Sequence, residues 1–143
     1  MLLEGAGGQG FLAADRYVVE RAYRPKAMAD LLAELAPDLV VLEQQQPMPG
    51  QGVTSTYSTG YGFGLWEGVC AGLGLPALRV RPQRWQKVVL AGCPGEGKER
   101  AVRAVEALLP DFDLTPGRRR KPHEGLADAC CLALYGIQRG AGG

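Results

Sequence analysis

The sequence predicts an α/β domain, and three observations carry that reading. A short, wholly apolar run, Leu39-Val-Val-Leu42, follows at once on a segment of helical periodicity, as a strand covered on both faces would. A second strand-like run, Leu78-Arg-Val80, stands on the far side of another helical segment. The C-terminal half then places apolar residues at helical spacing, which supplies helices to cover a sheet.

Taken in order, Leu2 and Leu3 begin a short strand that runs into the turn-forming stretch Gly5–Gly10. The alternation from Gly10 to Tyr23 predicts the rest of a β-meander, with a turn near Asp15. Pro25 opens a helix at its first turn; Met28, Leu31, Leu32 and Leu35 share one face, and Pro37 stops it. After the strand Leu39–Leu42, Pro47, Pro49, Gly50 and Gly52 enforce a loop, and Thr54 or Ser55 is placed to cap a helix from Ser55 to about Gly72. Gly60, Gly62, Gly64 and Gly68 would each weaken that helix by about 1 kcal/mol relative to alanine. Something is therefore expected close to its backbone: another helix, a second subunit or a nucleic-acid strand.

Leu78–Val80 reads as one more strand, and Arg81-Pro-Gln-Arg-Trp-Gln-Lys87 as a helix with its proline in the first turn. The loop Gly92–Gly97 leads to an amphipathic helix over about Lys98–Leu109, with Ala101, Val102, Val105, Leu108 and Leu109 on one side. Pro110–Pro122 reads as loop, and a last helix over about Glu124–Gln138 packs Leu126, Ala127, Cys130, Ala133 and Leu134. Residues 1–139 are read as one domain and 140–143 as a disordered tail.

Composition narrows the function classes. A chain of 143 residues can bury a sizeable core, and its 46% hydrophobic and 22% charged residues are those of a soluble globular protein. No apolar run approaches the ~20 residues of a membrane span, and Met1–Leu3 leads into Glu4 and glycines rather than a signal segment, so a cytoplasmic protein is expected. Cys70, Cys93, Cys130 and Cys131 form no CxxC pair and there is one histidine, which argues against zinc. Cys130 and Cys131 read as helix packing residues, one of them able to face outward. Net charge is +1, but Met1–Glu43 holds seven acids against four bases, whereas Arg79–Lys121 holds eleven bases against five acids. That second segment suits a polyanion lying across one face.

Two places can carry chemistry. Glu43 directly follows Leu39–Leu42, at the strand end where open α/β sheets place ligands. Glu124 and Asp128 stand four apart at the start of the last helix, on one face, and repel each other unless something positive lies near. Hard oxygen donors of this kind suit Mg2+ or Mn2+, and a pair of such ions can activate water and stabilise the leaving oxygen of a phosphodiester.

Val40–Gln44 (VVLEQ), Pro47–Thr56 (PMPGQGVTST), Val80–Lys87 (VRPQRWQK), Gly97–Ala101 (GKERA) and Gly125–Ala129 (GLADA) together resemble, in order and across about 90 residues, the successive blocks of phage and bacterial RuvC-like Holliday junction resolvases. The resemblance implies an RNase H-like fold, a mixed five-stranded β-sheet flanked by helices on both faces. It also implies a homodimer that nicks opposed strands of a four-way DNA junction using divalent metal, Mg2+ or Mn2+, with two ions in the site. Glu43 then matches the second acid of the family and Asp128 the last, with Glu124 one turn earlier, where relatives have histidine or aspartate. His123 either assists or hydrogen-bonds at the helix start. DNA contacts are expected from Gln46, Met48, Gln51 and Thr54, and from the bases Arg81, Arg84, Lys87, Lys98, Arg118, Arg119, Arg120 and Lys121. Gly60, Gly64, Gly68 and Ala71 offer a stripe for dimer packing.

The departure is at the first strand, which the family ends with an aspartate. Here no aspartate precedes Asp15. Ala6 is the position suspected of replacing that catalytic acid, Gly5 is the other match, and Glu4 is a displaced candidate. The site is one ligand short on this reading, so weak metal binding and little cleavage are expected. Two alternatives stay open: a catalytically silent junction-binding module, and a general branched-DNA or RNase H-type nuclease on the same scaffold.

Overall fold

The computed structural model describes the backbone of residues 2–4, 9–11 and 17–141 and the side chains of 17–139. The chain gathers into two compact units, one of Asp15–Pro82 and one of Met1–Ala14 with Gln83–Gly143.

In the unit 15–82, β3 (Val18–Val19) and β4 (Ala22–Tyr23) pair antiparallel across the two-residue loop Glu20–Arg21. Both loop residues take positive φ, 50° and 64°, as a tight hairpin matched to strand twist demands, although neither is glycine. The turn expected near Asp15 lies outside the described residues; the turn at Glu20–Arg21 is one the sequence reading did not name. Helix α1 (Pro25–Leu35) starts on its proline, buries Met28, Leu31 and Leu32, and stops at Ala36, whose left-handed backbone returns its N–H to Leu32 O. Strand β5 (Val40–Glu43) pairs parallel with β6 (Ala77–Val80), Val40 opposite Ala77 and Glu43 opposite Val80. The crossover between them is α2 (Val53–Leu73), which packs on both strands and on α1.

Helix α2 begins two residues before the expected start. Its N-cap is Gly52, with no side-chain cap, and Thr54 and Ser55 lie inside the first turn, so neither caps. Of the four helical glycines, Gly62 meets the expected close neighbour: a Cβ there would stand 2.5 Å from the Tyr23 hydroxyl. Around Gly60, Gly64 and Gly68 no described atom lies within 4 Å of an added Cβ. Tyr23 continues into an aromatic cluster, stacked on Tyr17 at 6.5 Å, with Tyr17 edge-on to Trp66 at 4.9 Å.

In the other unit, β1 (Leu2–Glu4) pairs antiparallel with β2 (Gln9–Phe11), and the last helix lies against both strands. Helices α3 (Pro82–Val89), α4 (Lys98–Leu108) and α5 (Glu124–Ala141) supply the core through Trp85, Val89, Ala101, Ala104, Val105, Leu126, Ala127, Cys130, Cys131 and Tyr135, all buried. Both Cys130 and Cys131 are at 0% exposure, so neither faces outward as expected of one of them; α5 is packed both by α4 and by the strand pair. Helix α5 also runs through Ala141, two residues into the expected tail.

Parallel and antiparallel pairing are both present, as a mixed sheet requires. Among the described residues the strands pair as three two-stranded ladders and not as one five-stranded sheet. The strands are two to four residues long, so each ladder offers few groups for a further partner.

Candidate functional site

The β5–β6 ladder ends at Glu43 and is extended one step by Gln44 N–H donating to Val80 O at 2.8 Å. Glu43 is therefore fixed at the C-terminal edge of a parallel pair, half-buried, with Oε1 accepting from Gln45 Nε2 at 2.9 Å. Beyond it, Gln46 and Met48 are exposed, and Thr54 stands exposed in the first turn of α2. Gln51 is half-exposed and hydrogen-bonded within the loop. Its Oε1 accepts from Met48 N–H at 3.2 Å and its Nε2 donates to Ser55 Oγ at 3.2 Å, tying the loop to the helix it precedes.

In the other unit, α4 and α5 bring their first residues together: Lys98 Nζ lies 3.3 Å from Glu124 Oε2. Both side chains are more than half exposed, at 78% and 53%, so the pair is a readily exchanged surface contact. Asp128 follows one turn later, half-buried beside the buried Ala127, Cys130 and Cys131. Its charge is felt there: desolvation first, and then the Asp128 carboxylate, push the Cys131 thiol up to about 12. Lys98 thus supplies a positive group beside Glu124, the first of two carboxylates a helical turn apart.

His123 starts the helix. Its backbone N–H donates to Leu114 O at 2.7 Å, its carbonyl accepts from Ala127 N–H at 3.0 Å, and its Nδ1 accepts from Leu126 N–H at 3.1 Å. The imidazole therefore does the work of an N-cap, a role usually taken by serine, threonine, aspartate or asparagine. An Nδ1 that accepts places the ring proton on Nε2, which makes His123 a donor toward its surroundings. Those surroundings are an open depression of about 730 Å³ that Arg103, Arg119, Lys121, His123 and Glu124 line. Glu99 and Glu106 line it too, so three carboxylates and three basic side chains share one depression, with Arg103 Nη2 3.6 Å from Glu99 Oε2; such a mixture suits a phosphate held beside a cation.

The expected basic residues divide within this unit. Arg119 and Lys121 border the Glu124 depression, with Arg118 and Arg120 exposed in the same loop; Arg84 and Lys87 border a separate one on α3 and α5. In the unit 15–82, Arg81 stands exposed just after β6. Arg100, in the Gly97–Ala101 block, serves structure: Nη2 donates to Leu90 O at 2.6 Å and Nε to Cys93 O at 3.1 Å, satisfying carbonyls past the end of α3. Of the two roles the sequence left open for His123, hydrogen bonding at the helix start is the one seen, whereas sequence reasoning missed the contribution of Tyr135, Gln138 and Arg139 to the second depression.

Glu43, Glu124 and Asp128 offer oxygen donors alone, and that chemistry fits a hard divalent cation. Among the described residues no three histidine, cysteine, aspartate or glutamate side chains form a group able to hold a metal ion. Gly5 and Ala6 lie outside the described residues, and Glu4 is described in its backbone as the end of β1.

No protein-family model matches the chain. A curated relative, the chloroplastic Holliday junction resolvase MOC1 of Chlamydomonas reinhardtii, is 29% identical over 90 residues, which are 63% of this chain and 10% of that protein. The chain therefore spans about a tenth of the length of the curated relative it matches. Among solved structures, Thermus thermophilus RuvC aligns with a TM-score of 0.55 and 21% identity over 80% of this chain and 66% of that one. The structure of T. thermophilus RuvC in complex with Holliday junction substrate gives 0.54 and 20% over the same shares. The chain has the α/β, RNase H-like fold of RuvC, and both comparisons return the resolvase resemblance carried by its sequence blocks. No helix among the described residues is long and apolar enough to cross a membrane.

Proposed function

We propose that this chain is a structure-selective DNA nuclease of RuvC type that recognises four-way junctions, works as a homodimer and depends on Mg2+ or Mn2+. The observation that carries the reading is the start of α5: Glu124 and Asp128 one turn apart, Lys98 against Glu124, and beside them a depression where Arg103, Arg119, Lys121 and His123 meet the carboxylates Glu99 and Glu106. A stability role alone gives no reason to gather these groups on a RuvC fold. The junction-bound RuvC and the resolvase relative support branched DNA as the substrate class.

In this reading Glu124 and Asp128 would give oxygen ligands to the divalent ion, and Glu43, in the other unit, matches the family's second acid by sequence alone. When bound, the metal supplies an activated water and stabilises the leaving oxygen of the phosphodiester. The chain's own groups do the rest. Lys98 balances Glu124 before the cation arrives and is then free to meet a phosphate. Arg119 and Lys121 position the backbone without reading sequence, and His123 Nε2 donates toward an acceptor in the depression. Shape, read in part by the exposed loop with Gln46 and Met48, selects the junction over linear duplex.

The stretch before Asp15 holds no aspartate, and this favours a second reading: a junction-binding module without cleavage. Ala6→Asp separates the two. With manganese, junction cleavage that appears in the Ala6→Asp chain and is absent from the unaltered chain supports a nuclease lacking its first acid. Junction binding with no cleavage in either chain supports the binding module. Linear duplex competing as well as a four-way junction at physiological salt would overturn junction selectivity in both.

A further inference from the structure

Helices α3 and α5 enclose a second depression, of about 480 Å³, lined by Arg84, Lys87, Val88, Tyr135, Gln138 and Arg139. It gathers three cationic side chains and no carboxylate. Among the described residues the ion pairs use Lys26, Arg79, Lys98 and Arg103, and none of the three cations here joins one. Like charges brought together without an acid repel, and an anion between them relieves the cost.

The cup has a built floor. Tyr135 is buried at 2% exposure, and its hydroxyl accepts from Arg84 Nε at 3.1 Å. The Arg139 guanidinium carbon lies 5.9 Å from the Tyr135 ring centroid, within cation–π range. One aromatic ring therefore orients two guanidinium groups toward a shared space. Lys87 and Arg139 also lie in the last turns of their helices, where a cation suits the helix dipole. That accounts for two of the cations separately; it does not account for Arg84 or for all three bordering one depression.

We propose that this cup binds a phosphodiester of the DNA backbone, at a place on the chain separate from the carboxylates. Guanidinium forks match phosphate oxygens in pairs, and Gln138 adds an amide donor. Arg84, Lys87, Gln138 and Arg139 are all exposed, which suits passage of a long strand better than enclosure of a small anion. Glu124 and Arg139 stand fifteen residues apart on α5. At about 1.5 Å per residue this is about 22 Å, the length of roughly six base pairs at ~3.4 Å each. The cup therefore touches an arm of the substrate and not its branch point. The inference rests on the junction-binding reading and adds a contact to it.

The test measures binding of a fluorescein-labelled four-way junction by anisotropy in EDTA, from 50 to 200 mM salt, for the unaltered chain, Lys87→Gln/Arg139→Gln and Tyr135→Phe. The cup holds one phosphodiester and a lost phosphate contact removes about 0.9 from the salt slope, so the double variant should lose about 3.5-fold less affinity across this range than the unaltered chain. Tyr135→Phe keeps all the charges and should keep the slope. A second arm of the test trims the junction arms to four base pairs: the unaltered chain should weaken, and the double variant should change much less. An unaltered chain that binds junctions while the double variant keeps its slope and its arm-length response overturns the cup and leaves the function standing. An unaltered chain that binds no junction at all overturns both.

Discussion

Replacing His123 by alanine removes the acceptor of the Leu126 N–H, a 3.1 Å bond, and leaves the backbone bonds of residue 123 in place. Leu126 is at 0% exposure, so its amide has poor access to water as a substitute. Loss of an N-cap acceptor costs about 1 kcal/mol, within a range of roughly 0.5–2. At about 2.1 cal/mol/K per residue, the 143 residues give an unfolding entropy near 0.3 kcal/mol/K, so the melting midpoint should fall by about 3 °C. Asparagine offers an amide oxygen at a similar reach, and His123→Asn should recover most of that loss. Thermal melts and urea titrations of the three chains measure it. Long-range proton–nitrogen correlation adds a signature that a generic core defect would not give: Nδ1 unprotonated and Nε2 carrying the hydrogen. Equal midpoints for alanine and the unaltered chain, or a ring protonated at Nδ1, would refute the capping assignment.

Four further outcomes are expected. Gly62→Ala should destabilise by about 1–3 kcal/mol in urea melts, because its Cβ would meet the Tyr23 hydroxyl at 2.5 Å, within a packed aromatic cluster. Gly64→Ala meets no described atom and should stabilise α2 by up to ~1 kcal/mol in the monomer; if the glycine stripe packs a second copy, sedimentation should show the same variant weakening the dimer. Arg21→Gly should raise stability by about 1 kcal/mol by relieving a non-glycine φ of 64°, and an unchanged urea midpoint would argue against that turn. Burial pushes Cys130 and Cys131 up to about 12 from 9.0, so the folded state holds their protons more tightly than the unfolded chain. Their contribution to stability is complete below about pH 9 and is lost as the pH rises toward 12. At pH 8, half-buried Cys93 should react with a thiol reagent well before Cys130 and Cys131, and equal rates would contradict their burial.

Local rules made much of the secondary structure legible. Pro25 and Pro37 bracket α1, Pro82 opens α3, and the apolar run before Glu43 forms β5, because each depends on backbone sterics or on burial of a short stretch. The spacing of Glu124 and Asp128 and the ordered blocks around them likewise pointed to carboxylate chemistry on DNA, since a helical repeat fixes which side chains share a face. Capping and turns were less legible: Gly52, not Thr54 or Ser55, starts α2, and Glu20–Arg21 turn the hairpin without a glycine, since tertiary packing overrides local preference there.

The amino-acid order alone determined the order of helices and of the parallel strand pair, the acids at a strand end and a helix start, and the basic excess of the later segment. Only the tertiary structure decided that Lys98 meets Glu124, that His123 caps α5, that Arg100 serves carbonyls, and that Arg84 and Arg139 share one aromatic floor. These are contacts between residues distant in the chain or choices among equivalent donors. They follow from how helices pack, which no local repeat encodes.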